Sequence, residues 1–229
     1  MSNLSKRIKF IKKNINFYKT YKIQDAINIL KKFSIVNFIE NLDVSINLGI
    51  DTKKKKQNIL GNVLLPFGTG RNIKVAVFAE GLQANDAKKA KADYIGMKDL
   101  YEKIKKKKIN FKILISSKEA LPLVNKLAKK IGPKGLMPSL KFGTITNNLY
   151  KTIKNIKFGQ IIYKNDKNGI IHATIGKINF NTYKLIANLE TLINKIKKEK
   201  PQEIKGIYIK KINLSTTMGI NLIIDKNEY

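Results

Sequence analysis

The sequence contains no cysteine and a single histidine in 229 residues. Disulfides and thiol chemistry are therefore excluded, and zinc fingers and histidine-based triads lack their ligands. The missing cysteines fit a reducing cytosol. Arginine is almost absent too, with only Arg7 and Arg71, so lysine carries nearly all of the positive charge. Acidic residues are scarce: 16 Asp+Glu stand against 46 Lys+Arg, a formal charge of +30. No apolar run approaches the roughly 18 residues of a membrane span. The stretch from Met1 to Lys13 lacks the apolar region of a signal peptide, which predicts a soluble, cytoplasmic protein.

What is present narrows the field further. A hydrophobic fraction of 43% is enough to bury cores in one large or two modest domains, so a disordered basic tail is excluded. A charge this far from zero calls for a polyanionic partner, because lysines that neutralise phosphates release condensed counterions. Nucleic acid comes first and an anionic membrane surface second. The wealth of Lys, Ile and Asn fits an AT-rich genome.

The hydrophobic period changes along the chain. Helical spacing predicts helices over 4–14 and 24–33, the latter from Ala26, Ile29, Leu30 and Phe33. Leu42, Val44, Ile46 and Leu48 alternate with polar residues, as in a strand with one buried face. A lysine-rich loop over 51–58 follows. The middle then alternates: strand 73–79, helix 83–91, strand 93–95, helix 98–106, strand 111–116 and helix 117–130. Such alternation implies a parallel sheet covered by helices. Beyond Phe158-Gly159, strands over 160–165 and 170–175 flank Asp166-Lys167-Asn168-Gly169, where an Asn-Gly step supplies the positive φ of a tight hairpin. Asn181 is placed to cap a helix with the stripe Leu185, Ile186, Leu189, Leu192, Ile193 and Ile196, ended by Pro201. Strands over 206–214 and 220–224 close the chain.

The expected class is α/β and α+β. A βα-alternating domain, residues 68–159, is inserted in an α+β domain made from 1–67 and 160–229, with Leu65-Pro66-Phe67 and Phe158-Gly159 as hinge strands. Two or three consecutive domains are the alternative. Insertion is preferred because residues 1–67 hold only one convincing strand and form no stable sheet alone.

Few motifs carry chemistry. Gly68-Thr69-Gly70 lacks the third glycine of a dinucleotide fingerprint and precedes a strand rather than a helix, so it reads as a hinge. Gly132-Pro133-Lys134-Gly135 is similar to the phosphate clamp of KH modules, but Pro138 forbids the second helix, so a turn with a surface lysine is expected. Lys53 to Lys56 and Lys105 to Lys108 read as solvated faces that add non-specific attraction. Glu40 and Asp43 have no activated nucleophile beside them, so no catalytic set, metal or cofactor is expected. An enzyme using the βα domain as a nucleotide site lacks its phosphate loop. His172 is either a strand residue packed or exposed beside its neighbours or the source of one hydrogen bond to a phosphate or ribose. Phe38 is either core or a contact residue. Thr216-Thr217-Met218-Gly219, between two strands, offers hydroxyls, backbone donors and an adaptable apolar side chain, which suit reading RNA shape and 2′-OH groups. It is also an ordinary turn.

Six ordered motifs resemble one family: Leu48-Gly49-Ile50-Asp51, Leu65-Pro66-Phe67-Gly68-Thr69-Gly70, Ala92-Asp93-Tyr94-Ile95-Gly96, Gly132 to Pro138, Asp166-Lys167 to Gly176-Lys177, and Ser215-Thr216-Thr217-Met218-Gly219. They are similar to the bacterial large-subunit ribosomal protein L-one. The resemblance implies a split first domain with a Rossmann-like insert, direct binding to rRNA in the mobile stalk beside the exit site, help in releasing deacylated tRNA, and repression by binding the protein's own mRNA. It implies a monomer within the large ribosomal subunit. By motif, the rRNA contacts are Phe38, Glu40, Asn41, Asp43, Lys167, His172, Lys177, Ser215, Thr216, Thr217, Met218 and Gly219. The hinge residues are Pro66, Phe67, Phe158 and Gly159. A general RNA chaperone is the alternative function. The chain departs from the family pattern at Asn37, Asn41 and Lys134, and lysine at the last lacks arginine's bidentate fork.

Overall fold

The computed structural model describes residues 6–16, 19–54, 57–106, 108–204 and 206–229. Its elements, in chain order, are α1 (Lys6–Asn14), β1 (Thr20–Tyr21), α2 (Ile23–Lys32), β2 (Asn41–Leu48), β3 (Leu60–Leu64), β4 (Val75–Phe78), α3 (Gly81–Lys89), β5 (Tyr94–Gly96), α4 (Lys98–Lys105), β6 (Ile113–Ser116), α5 (Leu121–Asn125), α6 (Ala128–Ile131), α7 (Leu149–Phe158), β7 (Gln160–Lys164), β8 (Ile170–Lys177), α8 (Thr182–Lys198), β9 (Ile209–Thr216) and β10 (Asn221–Ile224). The chain divides into two compact units, residues 1–70 with 161–229, and residues 71–160.

In the first unit, the alternation of β2 builds the fold directly. Leu42, Val44, Ile46 and Leu48 are buried, and the residues between them lie on the opposite face. β2 pairs antiparallel with β8 on one side and β9 on the other, in a five-stranded sheet of order β1-β10-β9-β2-β8. The apolar face of this sheet packs on α2 and α8, whose Ala26, Ile27, Leu30, Leu185, Leu189, Leu192 and Ile196 complete a single core. Burying a stripe of that size, at about 1.5–3 kcal/mol per large aliphatic side chain, outweighs the weak helix propensity of the Ile, Asn, Asp and Thr residues in these segments.

The second unit has a three-stranded parallel sheet of order β5-β4-β6. All four residues of β4 are buried because both faces are covered. Ala76 and Phe78 pack with Leu100, Ile104, Val124 and Leu127, whereas Val75 and Val77 pack with Ala87, Leu149, Ile153 and Ile156.

Several expectations need correction. The single helix over 117–130 is two short helices, because Pro122 sets the start of α5 and the backbone tightens to three-residue bonds at Leu127 and Lys130. Asn181 stands at the N-cap of α8, but its side chain makes no capping bond. The supposed hinge strands are not strands. Pro66 and Phe67 lie in a turn closed by the Gly68 N–H on the Leu65 carbonyl, and Phe158 is the last residue of α7, ended by Gly159 at φ +141°. In the hairpin only Gly169 takes a positive φ, +76°; Asn168 does not. Gly132 to Gly135 forms the expected turn, with the Gly135 N–H on the Gly132 carbonyl at 2.9 Å. The start of the first expected helix at Leu4, Lys55 and Lys56 of one lysine tract and Lys107 of the other lie outside the described residues.

Candidate nucleic-acid interface

Because alternate residues of a strand share a face, the polar residues of β2 line up on the side of the sheet away from the core. Register extends them into rows. Asp43 stands between Thr174 of β8 and Ser215 of β9, and Ser215 in turn faces Asn221 of β10. The next row holds His172, Ser45 and Asn213. The Thr174 hydroxyl donates to Asp43 Oδ1, which fixes that carboxylate within the row. A bulge between Leu42 and Asp43 lets Asn41 reach the sheet's corner.

At that corner sits the loop joining β9 to β10. Thr217 and Asn41 are bonded twice through the backbone: Asn41 N–H donates to Thr217 Oγ1 at 3.0 Å, and Thr217 N–H donates to the Asn41 carbonyl at 3.2 Å. The Gly219 N–H closes the turn on the Thr216 carbonyl at 3.1 Å. A Cβ on Gly219 would stand 2.0 Å from Thr216 Oγ1, so the loop requires glycine there for close approach. Thr216 itself is buried, whereas Thr217, Met218 and Gly219 are exposed.

Glu40 holds this loop from below. It is 1% exposed, its Oε1 accepts the Met218 N–H at 2.7 Å, and its Oε2 accepts the Ser34 hydroxyl. Its backbone carbonyl accepts the Ile178 N–H. A carboxylate occupied in this way positions the loop and presents nothing to solvent. The segment before it does the opposite, since Ile35, Phe38 and Ile39 are exposed, Phe38 by 51%, and Met218 is exposed by 56%. Phe38 is thus not a core residue.

The hairpin residues lie along the β8 side. Lys177 pairs in register with Asn41, beside the loop. His172 is exposed, with Nε2 3.7 Å from Asp166 Oδ2. Asp166 organises the turn by accepting the Ile170 and Asn168 N–H groups, each at 2.8 Å. The Ile170 N–H bond above all, then those of Asn168 and the nearby imidazole, hold its carboxyl below the ordinary range against the opposing effect of burial. Lys167 lies in this turn, and its carbonyl accepts the Thr52 hydroxyl at 2.7 Å.

Sequence reasoning missed three positioning residues. Ser34 is one. Arg7 is another, its guanidinium donating to the Met218 carbonyl, so both backbone polar groups of Met218 are held by side chains. Its only signal is that it is one of two arginines in a chain otherwise charged by lysine. The third is Asn188, 0% exposed, on the apolar face of α8. Its Oδ1 accepts the Phe67 N–H at 3.1 Å, and its Nδ2 donates to the carbonyls of Gly68 and Ile175 at 2.9 and 2.8 Å. A polar residue inside the Leu185 to Ile196 stripe is its visible mark.

No helix among the described residues is long and apolar enough to cross a membrane. The model of the ribosomal protein L1p/L10e family matches residues 30–220, which include β2, the hairpin and the loop up to Gly219. The chain accordingly belongs to the ribosomal protein L1p/L10e family, whose members are rRNA-binding, non-enzymatic constituents of the large ribosomal subunit in the cytoplasm.

Proposed function

We propose that the polar face of the five-stranded sheet and the Thr217–Gly219 loop together bind a structured segment of large-subunit rRNA by its shape. The observation that carries this reading is the loop's preorganisation: Met218 is tied to Glu40 and Arg7, and Thr217 to Asn41, so little ordering remains to be done on binding. The exposed Thr217 hydroxyl, whose oxygen accepts the Asn41 N–H, keeps its proton to donate to a ribose 2′-OH, while Ser215, Asp43 and His172 line the adjoining face. Phe38 and Met218 exclude water from those bonds, and covering half-exposed Phe38 recovers about 1 kcal/mol of burial. Lys167 and Lys177 meet phosphates, and the excess of +30 supplies long-range attraction.

From family membership we infer the finer role as well. The protein forms the mobile stalk beside the exit site, assists departure of deacylated tRNA, and represses its own message where that message folds into the same shape. The test is Thr217→Val in a competition titration between the stalk rRNA fragment and an unrelated RNA. Specific binding weakens by about 1–3 kcal/mol because an RNA polar group loses its partner, and binding to the unrelated RNA stays constant. Equal affinity for both RNAs in the unaltered protein would instead mark a general RNA chaperone.

A further inference from the structure

The loop lies at one end of the β9–β10 hairpin. At the other end, where β9 begins and β10 finishes, the first unit holds a cavity of about 380 Å³ lined by Lys197, Lys200, Lys226, Ile207, Tyr208, Ile209 and Tyr229. Eight strand residues at about 3.3 Å each set it roughly 25 Å from the loop. Its rim is basic and its walls are apolar. Among the described residues no acidic side chain lines it; Glu199 and Asp225 stand near the wall residues Tyr208 and Tyr229, but Glu199 is bonded to Tyr163 and paired with Lys195, Asp225 accepts the Asn227 N–H, and Glu228 accepts the Ile23 N–H. Among the described residues no ion pair holds any of the three lysines.

The walls add shape to that charge. Tyr208 is fixed by its hydroxyl, which donates to the Ile196 carbonyl at 3.1 Å, while Ile207 stands 70% exposed at the mouth. Exposed Ile207 and part-buried Tyr229, backed by Tyr208 at 7% exposure and ringed by lysines, make a platform for something both flat and anionic. The volume falls at the small end of the range for ligand sites, which suits one unit rather than a long segment.

We propose that this cavity takes one nucleotide of a single-stranded RNA, its phosphate among Lys197, Lys200 and Lys226 and its base against Ile207 and the tyrosine walls. Apolar and aromatic surfaces accept any base, because every base has a π face, so the site is tolerant of sequence. It is independent of the loop, and it stands whether or not the loop reads rRNA.

The test is fluorescence anisotropy of a labelled hexaadenylate with the full chain at low salt. Lys200→Ala/Lys226→Ala weakens binding at least tenfold and Ile207→Ser about threefold, while Thr217→Val leaves it unchanged. The altered positions are exposed, and far-ultraviolet circular dichroism checks that the fold is intact. A hexamer carrying 4-thiouridine, photo-crosslinked to the unaltered protein, labels peptides containing Ile207, Tyr208 or Tyr229. Unchanged affinity in the lysine variant, crosslinks confined to other segments, or a linear polyphosphate of equal charge binding as well as the RNA would each overturn the proposal.

Discussion

The Met218 N–H donates to Glu40 Oε1 at 2.7 Å, joining two residues 178 positions apart. Removing the carboxylate leaves that donor and the Ser34 hydroxyl without their partner in a part-buried position. Glu40→Ala should therefore lower stability by about 1–3 kcal/mol, read by urea titration. It should also weaken specific rRNA binding in a filter assay at temperatures where the variant remains folded, since the loop must then be ordered at the moment of binding.

Gly219 and Thr216 form a second testable pair. Gly219→Ala drives a methyl group into the Thr216 hydroxyl and should destabilise the loop by about 1–3 kcal/mol. Thr216→Ala removes the obstructing atom, leaving the next contact at 3.3 Å. The double variant should then recover much of the loss, and a double-mutant cycle on melting temperature and rRNA affinity reads the coupling.

Asn188 satisfies three backbone groups at once in a fully buried position. Asn188→Ala should cost about 3 kcal/mol in urea unfolding, because one N–H and two carbonyls lose partners away from water. Asn188→Asp should be no better at neutral pH, since a carboxylate cannot donate to the carbonyls of Gly68 and Ile175.

The lysines of the second unit give a contrasting expectation. Replacing Lys105, Lys106 and Lys108 with alanine should weaken binding to all RNAs alike. For each phosphate no longer neutralised, the slope of log affinity against log salt falls by roughly 0.7–0.9. Selective loss of specific rRNA binding would assign recognition to this unit.

Legibility in the sequence follows periodicity. β2 is legible because four apolar residues alternate without interruption, and α8 because its stripe is long. β3 is hidden because one of its two inward positions is Gly61, where a Cβ would approach Tyr163 Oη to 2.8 Å and Glu199 Oε2 to 2.9 Å. The inward residues of α7, Leu149, Ile153 and Ile156, have helical spacing, but they follow a run of glycines and prolines that read as irregular. Thr216 to Gly219 is visible as a motif. The residues that hold it, Arg7, Ser34 and Glu40, act over long sequence separations or through a fold that no local pattern encodes. Nothing in the sequence distinguishes a positioning Glu40 from a contacting one.

The pairing of Asn41 with Thr217 spans 176 positions, and β2 lies between β8 and β9 in the sheet. During synthesis, β2 must therefore wait until β9 (Ile209–Thr216) is made before that neighbour arrives. Nascent chains that stop short of β9 carry abundant lysine but no loop, so on the proposed reading they attract RNA without selecting it. If the loop reads rRNA as proposed, selective binding arises only once the β9–β10 hairpin has been made, so recognition depends on strands far apart in the chain.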